Sequence, residues 1–267
     1  MKGSASDGVS IEKGDGVLRI TLDRPDRKNA LEVAGALRIV AALEAAATDD
    51  ALRVVVLAGA GPDFCAGADW LASNAAGARP RTGSLQRRTE LQVHRLIELL
   101  VRLQLPVVCQ VRGWAAGLGF QLALAADFTL ASDSACFWEP FIERGFSADS
   151  GATWLLPRLV GVVRANELLL LGRKLSGVEA AAWGLIHRAV ADAELESATA
   201  ALVGRLAAGP TVALGLTKRC IRRSLETGLV EAMQGESFAL ELSSRTADFK
   251  EGLLAFQERR AARFEGR

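Results

Sequence analysis

The sequence predicts an α/β protein whose last quarter is helical. Three observations predict it: short β-branched runs ending in Gly-rich turns, Ala- and Leu-rich stretches between them, and the fading of strand signals after Arg188. Leu18-Arg19-Ile20-Thr21-Leu22 alternates apolar with polar, the pattern of a half-buried strand. Ala30–Ala47, rich in Ala and Leu, reads as the first helix. Val54-Val55-Val56-Leu57 and Pro106-Val107-Val108-Cys109-Gln110-Val111 read as buried strands that end in tight turns. Leu91–Leu103 between them has apolar residues at helical spacing. Ala191–Ala208, Val212–Thr227, Val230–Ser243 and Asp248–Arg260 then follow as successive helices. The expected division is residues 1–195 as an α/β core and residues 196–267 as a helical region that packs on the core or on a neighbouring subunit. Ala75–Ser84, rich in Ala, Gly, Arg and Pro, reads as a mobile surface loop.

Composition narrows the function classes. The 267 residues are half hydrophobic, ample for one large packed domain. Thirty-two Lys and Arg oppose thirty-one Asp and Glu, so no global field draws the chain to nucleic acid or to an anionic membrane. Cys65, Cys109, Cys136 and Cys220 are widely spaced and form no C-x-x-C pair, which favours reduced thiols. His94 and His187 lack metal-ligand spacing, and no metal is expected. Met1–Ser10 is polar, and no apolar run approaches the roughly 20 residues that span a bilayer. The expected location is cytoplasmic.

Two strand-to-turn junctions carry candidate chemistry: Phe64-Cys65-Ala66-Gly67-Ala68-Asp69, and Gly113-Trp114-Ala115-Ala116-Gly117-Leu118-Gly119-Phe120-Gln121, which opens an Ala/Leu helix. Small residues admit a ligand close to the backbone, and a helix N-terminus offers unpaired N–H groups. Two such groups converging on one point make an oxyanion hole. Taken alone, both segments also read as ordinary turns of an α/β protein.

Together with four further segments they resemble the crotonase (enoyl-CoA hydratase/isomerase) superfamily. Arg24-Pro25-Asp26-Arg27-Lys28-Asn29-Ala30-Leu31 is similar to its R-P-x-x-x-N-A-L run, and Phe64–Asp69 to its F-x-A-G-A-D loop. Asp127 falls where the family's C-D or S-D pair sits. Gly172 through Ile186 resembles G-x-x-x-x-A-x-E-A-x-x-x-G-L-V, and Asp248 through Arg260 resembles D-x-x-E-G-x-x-A-F-x-x-K-R. The resemblance implies a spiral of ββα turns, a helical C-terminal region that assembles trimers or dimers of trimers, and an acyl-CoA thioester substrate. Coenzyme A then enters as part of the substrate, with no separate cofactor. The resemblance places the oxyanion-hole N–H groups at Ala68 and Leu118. It places Ala66, Asp69, Gly117, Gln121 and Phe141 around the ligand, and Arg27 and Lys28 near the CoA phosphates, where a solvated surface pair is the other reading.

The departures from the family decide the chemistry. A hydratase carries one Glu just after the second oxyanion segment and another about twenty residues later; those positions are Gln121 and Phe141. Gln does not exchange protons and Phe has no polar atom. Glu139 and Glu143, two residues either side of Phe141, read as exposed or structural charges. Asp149 lies in Ser147-Ala148-Asp149-Ser150-Gly151-Ala152-Thr153-Trp154-Leu155-Leu156-Pro157. This resembles the P-D-S-G-G-T-W-L-L-P run of the ring-epoxide and enoyl-CoA isomerases of phenylacetate breakdown. Asp149 is therefore expected as acid/base, or as the N-cap of the next helix, or both. His94 reads as a packed residue of its helix, but its distance from Pro106 resembles that of the water-activating His of 4-chlorobenzoyl-CoA dehalogenases. Isomerisation of an unsaturated acyl-CoA leads; a water-adding or dehalogenase-like enzyme and a non-catalytic acyl-CoA-binding protein stand behind it.

Overall fold

The structure, a computed structural model, describes residues 7–69 and 81–267. Most of the loop expected at 75–84 lies outside the described residues. A six-stranded sheet forms the spine, built from β1 (Val9–Gly14), β2 (Val17–Leu22), β3 (Val54–Gly59), β4 (Val107–Val111), β6 (Phe128–Ser132) and β9 (Arg188–Val190) in that spatial order. The β1–β2 hairpin is antiparallel and every other pairing is parallel. A second, three-stranded sheet joins β5 (Trp114–Ala116), β7 (Cys136–Trp138) and β8 (Leu175–Ser176).

The β-branched runs are buried because both sheet faces are covered. Val55 and Leu57 of β3 and Val107, Cys109 and Val111 of β4 point into the main core. There they meet α1 (Val33–Ala46), α3 (Arg95–Arg102) and α4 (Leu118–Ala125). Val54, Val56 and Val108 point the other way, against Leu195, Val203 and Leu206 of α7 (Leu195–Ala207). Alternation along a strand thus feeds two cores. The helix expected at Leu91 begins earlier: α2 (Ser84–Thr89) runs through a π-helical segment, Glu90–His94, into α3.

The remaining helices are α5 (Ala152–Leu171), α6 (Gly177–Ala182), α8 (Thr211–Ser224), α9 (Leu229–Ser243) and α10 (Ala247–Glu258). Asp127 fastens α8 to the sheet. Its Oδ2 lies 2.6 Å from Lys218 Nζ and accepts the Val107 N–H at 2.8 Å, while Oδ1 lies 3.4 Å from Arg222. Lys218 also donates to the carbonyls of Leu100 and Leu105, so this buried ammonium is fully engaged. α9 has no buried residue; Leu229, Val230, Met233, Phe238, Leu240 and Leu242 all stand exposed on it.

Candidate active site

The first motif works as a clasp. Asn29 is buried with φ +55°, and its Nδ2 donates to the carbonyls of Ala60 (2.9 Å) and Asp63 (2.6 Å). This pins the 24–31 turn beside the 60–69 loop. The turn then forms an edge for that loop: Ala66 N–H donates to Lys28 O, Leu31 N–H to Gly67 O, and Asp69 N–H to Leu31 O. The alternation skips Ala68, whose N–H has no backbone acceptor among the described residues.

The second segment delivers a matching donor. Gly117, at φ +51° and ψ −122°, turns the chain from β5 into α4, a conformation that favours glycine. Its carbonyl accepts from Phe120 and Gln121 N–H, which leaves the Leu118 N–H in the first helical turn without a backbone acceptor among the described residues. The two segments are in contact. A Cβ on Gly67 would sit 2.9 Å from Ala116 O and 3.7 Å from Leu118 N, and one on Gly119 would sit 2.3 Å from Cys65 O. Cys65 itself is sealed in this joint, and burial pushes its thiol up to about 12, far from a nucleophile's range.

Both segments open on one cleft. Ala66, Ala68, Asp69, Gly117 and Leu118 line it, together with Phe141, Phe146 and Asp149. Phe141 is nearly fully buried and packs edge-on to Phe146, so the second hydratase position is an apolar wall. Among the described residues, three with carboxyl side chains line the cleft. Glu32 and Asp69 are both held by the Arg24 guanidinium, at 2.7 and 3.1 Å. Asp149 instead accepts a 2.9 Å hydrogen bond from the Ser150 hydroxyl. Burial raises its pKa above the usual Asp range, against smaller lowering effects of that hydrogen bond and of His94.

Asp149 is not the helix cap. The N-cap of α5 is Gly151, with no side-chain capping bond, and only the Asp149 backbone carbonyl accepts, from Ala152 N–H. Ser150 holds φ +53°, uncommon for a non-glycine residue, and this turn aims the preceding carboxyl at the cleft.

Other expected site residues fall elsewhere. His94 ends the π-helical segment, is exposed rather than packed, and is absent from the cleft wall, although its charge is felt at Asp149. Gln121, expected at the ligand, is fully buried and turned away: its Nε2 donates to Glu139 Oε1 at 2.6 Å. Glu139 is therefore not an exposed charge, whereas Glu143 is exposed. Arg27 and Lys28 are exposed outside the cleft wall; Lys28 Nζ lies 3.9 Å from Asp63 Oδ2 and 5.3 Å from the centre of the Trp114 ring.

The sequence reading missed the lining supplied by α2 and the π-helical segment, Leu85, Arg88, Thr89, Gln92 and Val93, and that supplied by Arg144. Their spacing is helical but their polarity is mixed, so apolar periodicity does not reveal them. Among the described residues no cluster of His, Cys, Asp or Glu has the makings of a metal site.

A protein of this fold, with two backbone donors on adjoining segments beside one cleft, matches one family description along nearly its whole length. Residues 12–267 match the family model for enoyl-CoA hydratase/isomerase, and the chain belongs to that family. It is 37% identical over 257 residues to 1,2-epoxyphenylacetyl-CoA isomerase of Escherichia coli K12, covering 96% of this chain and 97% of that one. It is 31% identical over 259 residues to 4-chlorobenzoyl coenzyme A dehalogenase-2 of an Arthrobacter species, covering 97% and 94%. The crystal structure of an enoyl-CoA hydratase from Bacillus anthracis superimposes with a TM-score of 0.90 at 31% identity, covering 97% of this chain and all of that one. The fold is thus the crotonase fold with its helical C-terminal region.

Proposed function

We propose that this protein isomerises an unsaturated acyl-CoA, with Asp149 carrying one proton between two carbons. A single observation carries the reading: of the three carboxyls at the cleft among the described residues, Asp149 alone is not paired with Arg24. The thioester oxygen sits between the N–H groups of Ala68 and Leu118. The Asp149 carboxylate takes a proton from Cα of a β,γ-unsaturated thioester, and the electron pair moves into the carbonyl. The two donors stabilise the dienolate oxygen, where charge develops. Asp149 then returns the same proton to Cγ, giving the α,β-unsaturated product with no net proton change. A base raised above the usual carboxylate range is better matched to a weak carbon acid.

Phe141 and Phe146 supply an apolar bed for the acyl chain. Coenzyme A arrives with the substrate, and the shuttle as written draws on no other group. Residues 196–267 are the region through which copies assemble as trimers or dimers of trimers. The test is a comparison of two thioesters on the purified protein. Isomerisation of a β,γ-unsaturated acyl-CoA should proceed readily. Hydration of crotonyl-CoA should be at least ~10² slower than in a two-glutamate enzyme, since Gln121 and Phe141 handle no protons. Ordinary hydratase turnover would overturn the reading.

A second reading rests on the electrostatic reach of His94 to Asp149. There Asp149 is a nucleophile and His94 activates water, as in a dehalogenase-like reaction. His94→Gln separates the two, because isomerisation needs only the Asp.

A further inference from the structure

Behind the cleft wall, Gln121 of α4 and Glu139, just after β7, are both wholly buried and meet at 2.6 Å through Nε2 and Oε1. The remaining oxygen of each group, Gln121 Oε1 and Glu139 Oε2, has no hydrogen-bond partner among the described residues. Orphaned buried polar atoms are rare, and two at the ends of one contacted pair call for one explanation. An ionised Glu139 has acceptors only, so it offers nothing to Gln121 Oε1. A proton on Oε2 is a donor, and the orphaned acceptor belongs to its own partner. Turning the amide over leads to the same place, since its oxygen would then face Oε1 and again need a proton between them.

The surroundings agree. Among the described residues no Lys, Arg or His pairs with Glu139. Burial drives its pKa well above the carboxylate range, the Gln121 bond pulls it back, and the like charge of Asp149, in the loop before α5, raises it further. Asp149 in turn is faced by Ser150 and, from the π-helical segment, by His94.

We propose that Glu139 is a positioning residue, a neutral acid closing a two-point acid–amide pair with Gln121, so that Asp149 ionises alone and Gln121 stays locked out of the cleft. The first half stands on the buried pair; the second half rests on the reading of Asp149 as the proton carrier. If Glu139 were ionised while Asp149 titrates, its negative charge would hold the Asp149 pKa higher still, and removing that charge would lower it.

The experiment has two arms. Infrared difference spectra at neutral pH, where exposed carboxyls are ionised, should show a protonated-carboxyl stretch that Glu139→Gln removes and Asp149→Asn retains. The pH dependence of isomerisation should show one ionisation on its acid side. Glu139→Leu, which strips Gln121 of its partner, should lower both Tm and kcat, and Glu139→Gln, able to form an amide–amide pair, should restore both. Absence of the protonated band at 139 overturns the proposal. So does a Glu139→Gln acid limb displaced downward by about one unit or more, which would mean that Glu139 carries a negative charge while Asp149 titrates. If Asp149→Asn keeps full turnover, the base assignment fails, while the infrared band still decides the state of Glu139.

Discussion

Replacing Gly119 with alanine tests whether the contact between the two motif segments holds the donors in place. The new Cβ would lie 2.3 Å from Cys65 O and 2.7 Å from Cys65 Cβ, where ordinary contact begins at 3.4 Å, so the joint must open by about 1 Å. Neither side yields easily. Cys65 is stitched to β5 through its N–H to Trp114 O and its carbonyl to Ala116 N–H, and Phe120 and Leu122 root α4 in the core. The opening therefore falls between Ala68 and Leu118. Overpacking of this kind costs about 1–3 kcal/mol. For a domain of this size that is a drop in Tm of ~2–12 °C. A misplacement of about 1 Å at a reacting centre costs on the order of 10²-fold in rate. Circular-dichroism melts and kcat on the isomerised thioester measure both. Gly204→Ala is the control, because a Cβ there meets nothing within 4 Å. A Gly119→Ala protein with unchanged Tm and kcat would refute the argument that this close approach sets the donor geometry.

Asp127→Ala should destabilise by about 3–5 kcal/mol in urea unfolding, because it strands the buried Lys218 ammonium beside Arg222; a loss below about 1 kcal/mol would mean that the carbonyls of Leu100 and Leu105 suffice. Light scattering at micromolar concentration should report a trimer or a multiple of it, and Phe238→Glu, on the exposed apolar face of α9, should lower that mass; a monomeric wild type would contradict the assembly proposal.

Much of the scaffold is legible in the sequence because its elements are long and their burial is periodic. β3 and β4 read as buried strands and prove to feed a core on each face. The helices expected at Val212–Thr227 and Val230–Ser243 begin and end within three residues of α8 and α9. The strands of the second sheet, two or three residues each, are too short to show any period. The site divides the same way. Gly67 and Gly119 mark a close backbone approach and Gly117 a left-handed turn, and all three stand out as small residues in the sequence itself. Glu139 gives no such sign: one carboxyl inside Phe137-Trp138-Glu139-Pro140-Phe141 follows no pattern, and only the fold sets it against Gln121. The capping role open to Asp149 in the sequence disappears because α5 starts three residues later, at Ala152.

The central claim is that one carboxylate moves the proton, and Asp149→Asn addresses it most directly. Asparagine keeps the size of the side chain and an acceptor for the Ser150 hydroxyl but has no basicity. Turnover of a β,γ-unsaturated acyl-CoA should fall by about 10²-fold or more, while CoA-ester affinity and Tm stay close to wild type. The wild-type rate should itself decline on the acid side at a pH above the ordinary Asp range, since the base form is lost as pH falls through a raised pKa. Full isomerase turnover by a correctly folded Asp149→Asn protein would contradict the account.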